Sequence, residues 1–187
     1  MSRWKQKRTV RRRYDLTAEM YDQRYGEEQE AKYKAALESV SLSGGDVVLD
    51  VGCGTGMFFR HLAEKVQKVV GVDLSKNLLL KAHERAKPLG NVHVVQADAD
   101  HLPFKNGFFG RVFAFTVLQN MPKPAETLRE FSRVAAPQAS LVVTALKRAF
   151  SLEAFGELLD AVGLLVASLR DEEPLKCHVV MAVKAPK

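Results

Sequence analysis

The chain has 187 residues, 47% of them apolar, with two cysteines and a formal net charge of +6. That length and composition fit one globular domain with a real core. No apolar run approaches the ~20 residues of a membrane span, and Cys53 and Cys177 fit no metal-ligand or disulfide framework.

The N-terminus is basic without a following apolar stretch, so no secretory signal is expected, and the reading is a soluble cytoplasmic protein with no membrane partner. Residues 1–13 carry Arg3, Lys5, Lys7, Arg8, Arg11, Arg12 and Arg13 and no acid. Seven cations in this stretch exceed the net charge of the whole chain. Such an arm attracts polyanions, and RNA contact is the favoured reading over a solubilising tail. Residues 14–38 are polar, rich in Glu, Lys and Tyr and free of Pro, which predicts one or two helices. Tyr21, Tyr25 and Tyr33 recur at spacings of four and eight and can share a face.

After a loop at 41–45, apolar β-rich runs alternate with helical segments. Strands are predicted over 46–51, 68–73, 92–96, 111–117, 140–146, 164–170 and 176–184, and helices over 56–66, 75–87, 125–134 and 152–162. Strict alternation with buried strands implies a mostly parallel sheet covered by helices on both faces. The link at 171–175 is too short for a crossover, so the last two strands pair antiparallel.

The strongest local signal is Val-Val-Leu-Asp-Val-Gly-Cys-Gly-Thr-Gly at 47–56. An apolar strand ends on Asp50, then turns through Gly52, Cys53, Gly54 and Gly56 into a helix. Glycine lets a ligand lie against bare main chain, and the helix start adds free N–H groups. A dinucleotide site needs G-x-G-x-x-G, and a carboxylate two residues before the first glycine would repel a pyrophosphate. It suits a ligand carrying ammonium and sulfonium charge.

Residues 47–56 resemble motif I of the class I S-adenosylmethionine-dependent methyltransferases. Three further matches follow in order. Val69–Ser75 resembles the second strand, whose terminal acid, here Asp73 followed by Leu74, binds the ribose hydroxyls in the family. Val94–Phe104 resembles the third motif, with Asp98 accepting from the adenine amine and the Ala99 N–H serving a ring nitrogen. Val112–Asn120 and Leu128–Leu146 resemble strands four and five and the helix between them. The resemblance covers about residues 40–187 and is closest to the type 11, ubiquinone-biosynthesis-like core. It implies a Rossmann-like α/β fold of seven strands, mostly parallel with an antiparallel last strand, under an N-terminal helical lid. The implied organisation is a basic arm over 1–13, a lid over 14–40 and an S-adenosylmethionine-binding domain over 41–187. The chain departs from the family at Phe109-Gly-Arg-Val112, where Phe-Asp-x-Val is common, and at Pro137-Gln-Ala139, where Pro-Gly-Gly is common. Both changes fall in turns.

Methyl transfer from a sulfonium is an in-line displacement and needs orientation more than a strong base. The acceptor pocket is expected past strand four, at Thr116-Val-Leu-Gln-Asn-Met-Pro122. Thr116, Gln119 and Asn120 are the candidates for holding the acceptor, Thr116 also bordering the cofactor; the alternative for Gln119 and Asn120 is capping the next helix. Asn120-Met-Pro122 echoes the Asn-Pro-Pro-Tyr of exocyclic-amine methyltransferases. Tyr25 is expected over the cofactor, and Arg11, Arg12, Arg13, Tyr14 and Tyr21 at the substrate, with core packing the alternative for the tyrosines. The five histidines show no ligand spacing, and no metal is expected.

The lid phrase Tyr-Asp-x-Thr-Ala-x-x-Tyr-Asp at 14–22, together with Leu-Gln-Asn-Met-Pro, resembles small archaeal methyltransferases of ribosomal RNA, including formers of dimethylated cytidine. The expected activity is methylation of a base exocyclic amine in RNA, with a small activator protein as a further partner. A small-molecule methyltransferase and a non-enzymatic cofactor-binding module are the competing readings. The arm is expected to act on RNA: deleting 1–13 should leave cofactor affinity unchanged, because the motif residues begin at Val47.

Overall fold

Period-two burial in the strands explains how this sheet holds two layers of helices. In β1 (Val47–Val51), Val48 faces one helical layer while Leu49 and Val51 face the other; in β4 (Phe109–Ala114), Phe113 and its neighbours Val112 and Ala114 divide the same way. The computed structural model describes residues 2–185. Besides β1 and β4, the strands are β2 (Lys68–Asp73), β3 (Val92–Gln96), β5 (Ala135–Leu146), β6 (Leu164–Arg170) and β7 (Cys177–Lys184). The helices are α1 (Arg3–Thr17), α2 (Tyr21–Ser39), α3 (Phe59–Leu62), α4 (Lys76–Ala86), α5 (Pro124–Val134) and α6 (Leu152–Asp160). The seven strands run in the order β3-β2-β1-β4-β5-β7-β6. All neighbours are parallel except β7, which lies antiparallel between β5 and β6. The expected α/β class, strand count and antiparallel closing strand therefore hold.

One core lies under α5 and α6, built on Phe109, Leu128, Phe131, Leu141, Phe155 and Leu159. The other lies under α2, α3 and α4, built on Tyr33, Phe58, Phe59, Leu62, Ala82 and Phe113. Tyr33 is buried there against Phe58 and Phe115, so it leaves the company of Tyr21 and Tyr25, which pack on each other at 5.0 Å.

Several boundaries moved for local reasons. The helix expected from Gly56 begins at Phe59, because Gly56 sits at φ +77°, outside helical space. Strand four stops at Ala114 and not Val117, because Thr116 takes φ +57° and its N–H donates to Thr144 Oγ1 at 2.7 Å, turning the chain out of the sheet. Strand five starts earlier, at Ala135, where Ala135 pairs with Phe109 ahead of a register shift. Gln138, standing where the family has glycine, is left-handed at φ +61°.

The largest correction concerns the N-terminus. Residues 1–13 were read from charge as an arm, with a passive tail the alternative; α1 runs unbroken across position 13, capped by the Ser2 hydroxyl accepting from the Lys5 N–H. Lys7, Val10, Tyr14 and Thr17 turn inward while Lys5, Arg8 and Arg12 face out. An arm cannot be pure polyelectrolyte when every third or fourth residue packs on the domain.

Candidate active site

Strand order reverses between β1 and β4, and at that switch the two carboxyl ends splay and leave a crevice. A narrow cavity lies there, with about 100 Å³ of enclosed space between the strand ends and the N-terminal helices. Its floor is Gly52 and Gly54 after β1, Asp73, Leu74 and Ser75 after β2, and Asp98 and Ala99 after β3. Its far wall is Phe115, Thr116, Asn120 and Met121 after β4. α1 and the start of α2 form the roof, through Lys7, Val10, Arg11, Tyr14 and Tyr21.

The glycine turn is built for close approach. Gly52 takes φ +72°, and a Cβ there would fall 2.6 Å from the Val117 side chain. Gly56 faces away from the cavity; its missing Cβ makes room for the Phe59 ring, 2.5 Å from where that atom would be. Asp73 ties the turn to β2, accepting from the Gly54 N–H at 3.0 Å and the Ser75 N–H at 2.8 Å. A second clamp joins the roof to the turn: Arg85 donates to Asp22 at 2.5 Å and to the Thr55 carbonyl at 2.9 Å, and the Thr55 hydroxyl donates to Asp22 at 2.6 Å.

Electrostatically the turn is short of positive charge. Asp50 is buried behind it, its Oδ2 has no partner, and burial with the nearby Asp73 charge pushes its carboxyl up to about 8. Burial also raises the Asp73 carboxyl, partly offset by the Ser75 and Gly54 N–H groups. Two desolvated acids beside bare backbone fit a ligand carrying cationic charge and a diol, which is what the donor set asks of S-adenosylmethionine.

The end of the cavity beside β3 holds a feature that charge counting missed. Lys7 Nζ lies 2.7 Å from both oxygens of Asp98 and 2.5 Å from Asp100, and Asp100 also accepts from the Thr127 hydroxyl. Lys7 is 6% exposed. Asp98, expected as a free acceptor for an adenine amine, thus already holds an ammonium from the roof. α1 is further tied through Asp15, which accepts from the Ser75 hydroxyl at 2.6 Å, and through Arg3, paired with Glu126 at 2.7 Å. Residues 1–13, expected to leave cofactor affinity unchanged, thus line the same cavity as the motif residues, through Lys7, Val10 and Arg11.

At the acceptor end, the Thr116 carbonyl accepts from the side-chain amides of Gln119 and Asn120 (3.2 Å from Asn120). Asn120 Oδ1 accepts from Arg13 at 3.0 Å, and its amide reaches the Tyr14 hydroxyl at 3.4 Å. Gln119 stands behind this wall and does not line the cavity, and Gln119 Oε1 is buried without a partner. Of the residues expected at the site, the fold brings Gly52, Gly54, Asp73, Leu74, Asp98, Ala99, Thr116, Asn120, Arg11, Tyr14 and Tyr21 to the cavity. Cys53 and Asp50 are buried beneath it. Arg12 points to a shallow outer groove, and Arg13 reaches the wall only through Asn120. Tyr25 is a correction: it does not line the cavity, packing against Tyr21 with Arg24 over its ring. An i,i+4 spacing put both tyrosines on one face, but only the first reaches past the edge of α2.

Among the described residues no helix is long and apolar enough to cross a membrane, and no cluster of His, Cys, Asp or Glu is placed to hold a metal ion.

The methyltransferase domain family matches residues 49–143, just over half of the chain. The malonyl-[acyl-carrier protein] O-methyltransferase of Marinomonas sp. is 33% identical over 144 residues, covering 76% of this chain and 53% of that protein. The chain spans about half the length of the curated relatives it matches. Among solved structures, the [4+2]-cyclase SpnF is similar with a TM-score of 0.84 at 20% identity, covering 95% of this chain and 96% of that one. A Haloferax volcanii methyltransferase solved in complex with the Trm112 activator has a TM-score of 0.81 at 18% identity, covering 92% and 98%. These two likenesses show the fold, and a cyclase among them shows that the fold alone does not fix the reaction. The sequence match spans half the chain and its motifs converge on one cavity, so the chain belongs to the methyltransferase domain family, of the class I S-adenosylmethionine-dependent type.

Proposed function

We propose that this protein transfers a methyl group from S-adenosylmethionine to an exocyclic amine of a base in RNA, with cytidine N4 of ribosomal RNA as the narrower reading. The observation that carries the RNA reading is Arg11, which borders both the cavity and a groove of Lys5, Arg8 and Arg12 on the outer face of α1. A polyanion lying along that groove meets the cavity at Arg11.

The bound cofactor supplies an activated methyl group and a neutral thioether leaving group. Everything else falls to this chain. Asp73 is placed to accept from a ribose diol while holding Gly54. Asp50, buried beneath the turn with one unpartnered oxygen, would favour positive charge above it by field rather than by contact. Asp98, held by Lys7, and the Ala99 N–H bound the adenine end. The Thr116 carbonyl, once an amide now donating to it gives way, and Asn120 Oδ1 are acceptors for the two N–H bonds of an amine, orienting its lone pair; the methylated nitrogen then releases one proton to water. Arg13 now donates to Asn120 Oδ1 in the role a substrate amine would take. A small activator protein belongs to this reading as a partner, supported by the likeness to the archaeal methyltransferase solved with one.

A small-molecule acceptor is the second reading. It is favoured by the roof, which Lys7, Asp15 and Arg13 pin over the cavity, and by the carrier-bound acyl substrate named for the Marinomonas relative. Labelled methyl incorporation into total RNA and into a metabolite extract, run side by side, separates the two. Label in RNA supports the first, label only in the extract supports the second, and label in neither sinks both.

A further inference from the structure

The seven cations of α1 are not equivalent. Arg3, Lys7, Arg11 and Arg13 are engaged, with Glu126, with Asp98 and Asp100, with Asp15, and with Asn120. Among the described residues, the side chains of Lys5, Arg8 and Arg12 make no ion pair or hydrogen bond, and all three are exposed. Beside them stands Trp4, the only tryptophan of the chain, 51% exposed. Trp4, Arg8 and Arg11 follow the i, i+4, i+7 pattern, so they lie along one edge of α1, and that edge ends at the cavity through Arg11.

We propose that this edge of α1 binds a single-stranded RNA segment, with Trp4 stacking one unpaired base and Lys5, Arg8 and Arg12 holding the neighbouring phosphates, so that the base to be modified enters at Arg11 and Tyr14. The proposal rests on the RNA reading above. Three features support it. Cations with no acid partner can neutralise a phosphate backbone laid over them without breaking an ion pair, and the counterions released favour binding. An exposed indole gives every base a face to stack on, which a duplex cannot use because its bases are already stacked. The distance also suits: Trp4 to Arg11 is seven residues of helix, about 10 Å, or about three nucleotides at ~3.4 Å stacked spacing. The platform therefore grips the strand a few nucleotides to one side of the target. A membrane surface is a poorer occupant. An interfacial helix needs a continuous apolar face outward, and here Val10 and Tyr14 face the cavity while Lys5, Arg8 and Arg12 separate Trp4 from Leu16.

The test uses the full chain and its own tryptophan as reporter. An unstructured eight-nucleotide RNA, a duplex of the same sequence, inorganic polyphosphate and anionic phosphatidylserine vesicles are titrated separately while fluorescence is read. The single strand should quench Trp4 strongly, and polyphosphate should bind with little quenching. Measured by calorimetry, because the variant lacks the fluorophore, Trp4→Ala should weaken single-strand binding roughly 5- to 100-fold, with duplex and polyphosphate binding changed little. Trp4→Phe should recover most of the loss, and both variants should hold S-adenosylhomocysteine like the parent, because Trp4 does not line the cavity. Lys5, Arg8 and Arg12 changed together to Gln should flatten the salt dependence by about two units of slope. Quenching by vesicles alone, or single-strand affinity indifferent to Trp4→Ala, overturns the platform. If RNA is methylated but Trp4→Ala binds it normally, only the platform fails. If no RNA is methylated or bound, the functional reading fails with it.

Discussion

Replacing Lys7 with Met removes a charge from the least exposed ionic cluster around the cavity. The Lys7, Asp98 and Asp100 side chains are 7%, 14% and 12% exposed. Methionine keeps the stem and its packing, so the change isolates the ammonium. Taking one partner from a buried pair leaves uncompensated charge and costs roughly 3–5 kcal/mol. The remaining ties of α1, Asp15 to Ser75 and Asn77, Arg13 to Asn120 and the exposed Arg3–Glu126 pair, do not neutralise Asp98 and Asp100, and the exposed pair contributes only about 0–1 kcal/mol. The loss should therefore appear as α1 lifting from the cavity rather than as global unfolding. If tight binding needs the closed roof, affinity for S-adenosylhomocysteine should fall up to about a hundredfold, the equivalent of ~2.7 kcal/mol. Calorimetry gives the affinity, and hydrogen exchange on residues 3–17 reports the roof. Asp100→Asn added to Lys7→Met should recover part of the affinity, because it removes the surplus negative charge. Unchanged affinity and unchanged protection of α1 in Lys7→Met would show that Lys7 does not hold the roof closed.

Asp73→Ala should weaken S-adenosylhomocysteine by roughly 1.5–3 kcal/mol per lost charge-assisted hydrogen bond, as measured by calorimetry; unchanged affinity would remove Asp73 from the site. Asn120→Ala should slow single-turnover transfer far more than it weakens cofactor binding, and equal losses in both would make Asn120 structural. The Asp50 carboxyl is raised by burial from its usual range to about 8, so the folded state holds a proton that the unfolded state has released. Stability of the ligand-free protein from this group should be full below about pH 4 and decline as pH rises toward 8, by at most about 1.4 kcal/mol per unit. Urea titrations across that window should show the decline, and Asp50→Asn should lack it. Gln138→Gly should raise stability by roughly 1 kcal/mol, because Gln138 is left-handed at φ +61°; a lower melting temperature would contradict that.

What the sequence disclosed and what it hid follow from the range of the forces involved. The glycine turn, the acid ending β2 and the alternation of strands and helices depend on local periodicity and turn chemistry, so the sequence already pointed to Gly52, Gly54, Asp73 and Thr116, which line the cavity. Lys7 could not, because its partners Asp98 and Asp100 lie 91 residues or more away and only the folded sheet brings them under α1. A signal was nevertheless present: Lys7, Val10 and Tyr14 recur at helical spacing, and Ser2 can cap the helix. The density of positive charge concealed that stripe. Tyr25 shows the limit of face-sharing arguments, since i,i+4 spacing fixes a direction but not how far a face extends over a cavity. Thr116 ends β4 in the left-handed region, where β-branched residues are costly, so an apolar run that read as strand to Val117 became the wall of the site.

The central claim is methyl transfer to an RNA base. The most direct measurement is nucleoside mass spectrometry of total RNA after incubation with the purified protein and methyl-labelled S-adenosylmethionine, with Asp73→Ala alongside. One labelled nucleoside carrying its methyl on an exocyclic amine is expected, strongly reduced in Asp73→Ala. RNA without label, while a metabolite extract takes up the methyl group, would contradict it.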